Sequence, residues 1–175
     1  MVEHEGLPMP RRLLLLPVAL FLSTPALADA DYLTRFDGRF SGSGTVQRDV
    51  DPQPRRVSCR IDGRQSGPDA LSLSGSCRAA VIFTREIGAD IRYDPGSDRF
   101  TGIYRGSTTG PAQLSGGRLR GDTLTMALTY AQPIYGDRDA VMTIVNAGNG
   151  RFTMTVSDEV DGRTVQTSNV SLQGN

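Results

Sequence analysis

Residues 55–79 read RRVSCRIDGRQSGPDALSLSGSCRA. Val57, Cys59 and Ile61 alternate with polar residues before Ser66-Gly67-Pro68-Asp69, and Leu71, Leu73, Gly75 and Cys77 alternate with polar residues after it. Alternation of period two on both sides of a turn-forming centre is the pattern of a β-hairpin with one wet face. If Cys59 faces Cys77 across an antiparallel pair, then Ile61 faces Gly75, Gly63 faces Leu73, Gln65 faces Leu71, and residues 66–70 form the loop. That register puts both sulfurs on the apolar face, so pairing agrees with burial. These are the only two cysteines in the chain. A metal site would need further soft ligands, and a catalytic thiol would need an imidazole or another group that stabilises a thiolate. Arg60 and Arg78 belong to the opposite face. A structural disulfide is therefore expected, stabilising the fold by about 3 kcal/mol for a loop of this length.

The same alternation runs along the chain. In TLTMALTY, residues 123–130, Leu124, Met126, Leu128 and Tyr130 share one face and Thr123, Thr125 and Thr129 the other. RFTMTV, residues 151–156, repeats it with Phe152, Met154 and Val156. Weaker strand candidates are 38–47, 79–84, 89–93, 99–105, 112–120, 139–146 and 164–172. Turn signals separate them: Asp94-Pro95-Gly96-Ser97, Gly116-Gly117, Gly136-Asp137, Gly148-Asn149-Gly150 and Asp161-Gly162. Each supplies residues that accept positive φ or preset a turn. No stretch after Ala28 reads as a capped helix. Short gaps favour hairpins over crossovers, so the expected fold is all-β: an antiparallel up-and-down β-barrel of about 8–10 strands, with a β-sandwich as the alternative. Gly42, Gly44, Gly75 and Gly102 fall inside strands, where they permit the sharp bending of a small barrel.

At the N-terminus Arg11-Arg12 precede the apolar run from Leu13 to Leu22, and Ala26-Leu27-Ala28 follows. A basic region, a short apolar region and an Ala-x-Ala site are the three parts of a secretory signal peptide. The apolar run is about 10 residues, short of the roughly 20 that span a bilayer, so no transmembrane anchor is expected. Cleavage is expected after Ala28, with Met9 an alternative start to Met1. The domain plan is then a signal peptide at 1–28, a flexible mature N-terminus at 29–36 and one β-barrel domain at 37–175. The expected location is periplasmic or secreted.

Arg11, Arg12, Glu3 and Glu5 leave with the signal, so the balanced formal charge of the whole chain persists in the mature one. Such a chain has no general attraction for nucleic acid. The single histidine, His4, is upstream of the signal, and the chain contains neither lysine nor tryptophan. Ser-His-Asp and Cys-His catalysis, Schiff-base chemistry and His-containing metal sites are thereby excluded from the mature chain. Neither a catalytic residue nor a metal site is assigned, and no cofactor is expected. The carboxylate pairs Asp137 with Asp139 and Asp158 with Glu159 read as solvated acids at turns or strand ends. DEVDG at 158–162 and DPGSD at 94–98 lack the calcium-loop spacing and read as hairpin turns. Asn169-Val170-Ser171 matches the glycosylation acceptor pattern, which short sequences meet by chance. In residues 91–106, strand alternation puts Phe100 and Tyr104 on one face and Arg99 and Arg105 on the other.

If the barrel leaves a lumen, Tyr104, Met126, Tyr130, Phe152 and Met154 are expected to line it, since thioethers and phenols adapt to apolar ligands with a polar end. The competing reading makes the same residues a filled core.

FDGRFSGSGTV from residue 36, the two-cysteine hairpin, RFTGIY from 99 and AQLSGGRLRGDTL from 112 resemble an uncharacterised family of small exported alphaproteobacterial proteins. The resemblance implies a lipocalin-like or calycin-like barrel, although Phe40 stands where lipocalins carry tryptophan. A fainter likeness is to periplasmic protease inhibitors with one disulfide. Two functions follow as expectations. The first is a non-enzymatic barrel binding a small amphipathic ligand or a cell-envelope component. The second is a protein-interaction module, such as a periplasmic protease inhibitor, whose contact surfaces would be the unanchored Asp29 to Arg35 and the loop Ala131 to Arg138 with Pro133 and Tyr135 exposed. A lumen of about 300 Å³ or more favours the first. The oligomeric state is left open.

Overall fold

The structure, a computed structural model, describes residues 31–80 and 83–175. The expected signal peptide lies outside the described residues. Ten strands follow in order: β1 (Gly38–Val46), β2 (Arg55–Gly67), β3 (Ala70–Ala79), β4 (Phe83–Asp94), β5 (Arg99–Tyr104), β6 (Ala112–Arg120), β7 (Thr123–Ile134), β8 (Asp137–Val145), β9 (Arg151–Val160) and β10 (Arg163–Gly174). Each pairs antiparallel with the next, and β1 pairs with β10 to close the barrel. The up-and-down barrel is therefore the architecture, and the sandwich is not.

The hairpin β2–β3 has the register read from the sequence: Cys59 opposite Cys77, Ile61 opposite Gly75, Gly63 opposite Leu73 and Gln65 opposite Leu71. The two cysteines form a disulfide across Cα atoms 4.0 Å apart, a pairing that fits an oxidising compartment. The loop is shorter than expected, because a bulge between Gln65 and Gly67 lets Gly67 pair with Ala70 and leaves Pro68-Asp69 as the turn. The strand expected over 79–84 is also corrected. Ala79 ends β3 and Phe83 begins β4, with Ala80 turning at positive φ between them.

Strand glycines mark where neighbouring backbones come too close for a Cβ. A Cβ at Gly42 or Gly44 would stand 1.9 Å from a carbonyl oxygen of β10, Ser171 or Asn169 respectively. Gly75 and Gly102 face the Arg60 and Asp90 carbonyls in the same way, at 2.0 and 2.1 Å. The sheet coils tightly at these positions, and β1 meets β10 because it has no side chain there.

The two ends of the barrel differ. At one end residues 31–34 form a helical turn, extended by hydrogen bonds from the Arg35 and Phe36 amides to the Tyr32 and Leu33 carbonyls. Tyr32, Leu33 and Phe36 recur at i, i+1 and i+4, so the turn buries all three, each at most 1% exposed. Tyr32 Oη donates to the Ile144 carbonyl at 3.0 Å, and Arg35 Nη1 donates to Asp122 Oδ1 at 2.6 Å and to the Asn146 carbonyl at 2.7 Å. Phe36 makes edge-to-face contacts with Tyr32 and Phe152, and Phe152 with Phe40. The expectation of a flexible segment over 29–36 is corrected for 31–36: the segment is a plug, held by three buried side chains. Arg35 is fixed on the plug, so it does not form a free contact surface.

Candidate functional site

The half of the barrel away from the plug is hollow. A cavity of about 490 Å³ opens between the ends of β1, β2, β4, β7, β9 and β10 and the loops after β1 and β5. Its floor is apolar, formed by Val57, Ile87, Met154, Val170 and Leu172. Of the five residues expected to line a lumen, Tyr104, Tyr130 and Met154 do so. Met126 and Phe152 do not, being 1% and 2% exposed within the filled half. Phe152 packs on the plug aromatics, and a Cβ at Gly117 would stand 2.8 Å from Met126 Cγ, which shows how closely that side is packed. Alternation selects the inward face of a strand without saying how far along it the plug reaches.

One buried carboxyl faces the cavity. Asp158 is 3% exposed on the inner face of β9. Tyr130 Oη donates to its Oδ1 at 2.8 Å, and Thr167 Oγ1 contacts its Oδ2. Burial pushes the Asp158 carboxyl above the usual carboxylate range, while the hydrogen bonds from Thr167 and Tyr130 act in the opposite sense. Thr167 Oγ1 also lies 3.3 Å from the Val156 carbonyl. A protonated Asp158 can donate to Thr167 while Thr167 donates to Val156, so the cluster is satisfied in either protonation state. Burial, with the neighbouring Asp158 charge, raises the Tyr130 phenol. Tyr104 is pushed up to about 12, mainly by burial, with Arg85 opposing and Asp158 adding to the effect.

The reading of Asp158 as a solvated turn acid is thus corrected. It is one residue from the exposed Glu159, but the two point to opposite faces of β9 and make no carboxylate pair. Asp137 and Asp139 are both exposed at the β7–β8 turn, where Asp137 Oδ1 accepts from the Asp139 amide. DPGSD is a hairpin turn, with Asp94 accepting from the Gly96 amide and Ser97 Oγ. Tyr93 and Phe100 are buried side by side and Arg92 faces out, as a half-buried strand requires.

The mouth is charged. Asp51, in the loop after β1, has a side chain only 1% exposed and accepts from Arg48 Nε and Nη2 at 2.8 and 2.7 Å and from Arg55 Nε at 2.9 Å. These bonds, Arg48 foremost, hold its carboxyl well below the usual range. Arg85 is on the inner side of β4 in alternation with Ile87, Ala89 and Ile91, and its Nη2 donates to the Ser107 carbonyl. That bond draws the loop after β5 over the cavity edge. Gly106 is required there, because a Cβ would stand 2.0 Å from Tyr104 Oη. Tyr135 is half-buried, contrary to the exposed position expected for it, while Pro133 is exposed. With φ of 57°, followed by Gly136 at 100°, Tyr135 turns the chain tightly, and its Oη donates to the Gln47 carbonyl at 2.8 Å.

The arrangement offers an apolar floor, hydroxyl and carboxyl groups on the wall and guanidinium groups at the rim, which is the chemistry of holding a molecule with one polar end. Among the described residues no cluster of three or more His, Cys, Asp or Glu side chains converges. Sequence reasoning missed Asp158, Thr167 and Arg85. Arg85 could have been found from the parity it shares with Ile87 and Ile91.

No protein-family model and no curated protein matches the sequence. Among solved structures the chain is similar to the crystal structure of Rv2717c from M. tuberculosis, with a TM-score of 0.58 and 13% identity over 86% of this chain and 98% of that one. At that identity the likeness shows the fold. The neighbour and the closed ten-strand barrel together fit a family of small β-barrels.

Proposed function

We propose that this protein is an exported, non-enzymatic barrel that binds a small amphipathic ligand in the open half of its lumen, in the periplasm or outside the cell. The observation that carries the reading is the division of the barrel. One half is packed solid by the plug, whereas the other holds about 490 Å³ of space, within the roughly 300–1,000 Å³ range of small-molecule sites. A barrel built only for stability would fill both halves, since empty apolar volume costs stability. The buried disulfide and the signal-like residues 11–28 support export, and the likeness to exported lipocalin-like barrels belongs to the same proposal. The interaction reading loses residues 31–35 of its N-terminal contact surface to the plug and keeps the loop 131–138. Contact with an envelope component is supported by Val50 and Phe83, which are 72% and 61% exposed beside the mouth.

The test is native mass spectrometry of the oxidised protein isolated from its own compartment, followed by organic extraction. A reproducible co-purifying small molecule is the expected outcome. A clean apo mass, together with failure of apolar probes to enter the lumen, would refute the reading.

A further inference from the structure

We infer that the ligand is a single-chain amphiphile with an anionic head group, held at the mouth by Arg85 while its chain lies on the floor of the cavity. This inference rests on the lumen reading above and names the class of ligand. The polarity of the wall sets the orientation. Val57, Ile87, Met154, Val170 and Leu172 are buried or half-buried in the cavity wall, whereas all three arginines are exposed, at the rim. Along β10 the wall runs about 16 Å from Thr167 to Leu172 at the usual rise of a strand, a depth of about 12 Å given the tilt of strands in a barrel. The volume corresponds to about sixteen water-sized groups at roughly 30 Å³ each, enough for a chain of about ten to fourteen carbons.

Charge sets the head group. Three guanidinium groups, Arg48, Arg55 and Arg85, line the cavity against two carboxyls, Asp51 and Asp158. Arg48 and Arg55 both bind Asp51. Arg85 makes no ion pair among the described residues; one of its N–H groups serves the Ser107 carbonyl, and the remaining donors of the fork are open to a ligand. Inward charges in sheets often protect an edge, but a closed barrel has no edge to protect. Position 85 shares the inward parity of Ile87 and Ile91 but is exposed at the cavity edge, so its guanidinium borders both the lumen and water. Carboxylate and phosphate both match its planar fork. Asp158 works from the other side. Its partners are two hydroxyls and no cation, so an acid group pushed down the wall would meet an uncompensated carboxyl, whereas one at Arg85 would not.

The test uses the oxidised, delipidated protein and the neutral fluorescent probe 1-N-phenylnaphthylamine, displaced by dodecanoate, dodecyl phosphate, dodecanol or dodecylamine. The two anions are expected to displace it at about 10- to 100-fold lower concentration than the alcohol, the span of a charge-assisted hydrogen bond. Whichever anion is the stronger identifies the head as carboxylate or phosphate. Arg85→Gln should close the gap between anion and alcohol, and Arg85→Lys should preserve most of it; unchanged circular dichroism shows that each variant folds. Equal displacement by anion and alcohol, preference for the amine, or a gap that survives Arg85→Gln would overturn the inference while leaving the lumen reading in place. If the probe does not enter the wild-type barrel at all, the lumen reading fails, and the inference with it.

Discussion

Phe36→Ala tests whether the N-terminal turn is a structural plug. Phe36 is 1% exposed, with ring centroids 5.2 Å from Tyr32 and 5.1 Å from Phe152. Truncating a buried phenylalanine costs about 3–5 kcal/mol, and each lost edge-to-face contact is worth about 0.5–1.5 kcal/mol within that total. The hole cannot close easily. The Phe36 carbonyl oxygen would stand 1.8 Å from a Cβ on Gly63, so the backbone already rests against β2, and Phe152 is braced by Phe40 on its other side. The cost therefore falls in the upper part of the range, at about 4 kcal/mol. At roughly 3–4 °C per kcal/mol for a domain of this size, Tm should fall by about 12–16 °C. Thermal unfolding followed by circular dichroism measures it, with the exposed Thr34→Ala as control, expected to change stability by no more than about 0.5 kcal/mol. A fall below about 2 °C for Phe36→Ala would mean that the segment is not docked, and the division of the barrel into a filled and an open half would lose its basis.

Two further outcomes follow from the disulfide and the buried acid. Cys59→Ser/Cys77→Ser should lower stability by about 3 kcal/mol, read as a fall in the urea midpoint that a reducing agent reproduces in the wild type and does not add to in the variant. Asp158→Asn should raise Tm by a few degrees at pH 7 and leave it unchanged near pH 3. Burial lifts the folded carboxyl above its unfolded value, so the stability it contributes is complete below the unfolded pKa, about 3.9, and is lost as pH rises through the folded one. A Tm difference that grows toward acid pH would contradict the assignment.

The hairpin register was legible in the sequence because one constraint, a shared apolar face for Cys59 and Cys77, admits a single pairing, and every strand with clear alternation, such as 123–130, could be oriented from it. The closed barrel was legible for a related reason: alternating segments joined by short turns favour consecutive hairpins over crossovers, which left only the sandwich as an alternative. Residues 31–36 were misread because three apolar residues in six make too short a run for periodicity to separate a helical turn from a tail. Asp158 was misread for the opposite reason. It sits in a turn-rich, acidic stretch, DEVDG, whose composition argues for solvent, and only its parity with Val156 and Met154 reveals that it faces inward.

The same parity argument explains why three of the five expected lumen residues line the cavity and two do not. Tyr104, Tyr130, Met154, Met126 and Phe152 all face inward, so sequence alternation treats them alike. What separates them is height along the barrel, and height is decided by a segment distant in sequence, the plug. Tyr32 reaches Ile144 and Phe36 reaches Phe152 from the N-terminus, which commits the lower half of β7 and β9 to the core and leaves the upper half of the same strands beside Asp158 and Arg85. The plug thus sets both the stability of the barrel and the depth of its cavity. A destabilising change in the plug should therefore alter the cavity, and with it the proposed ligand site, without touching any residue that lines it.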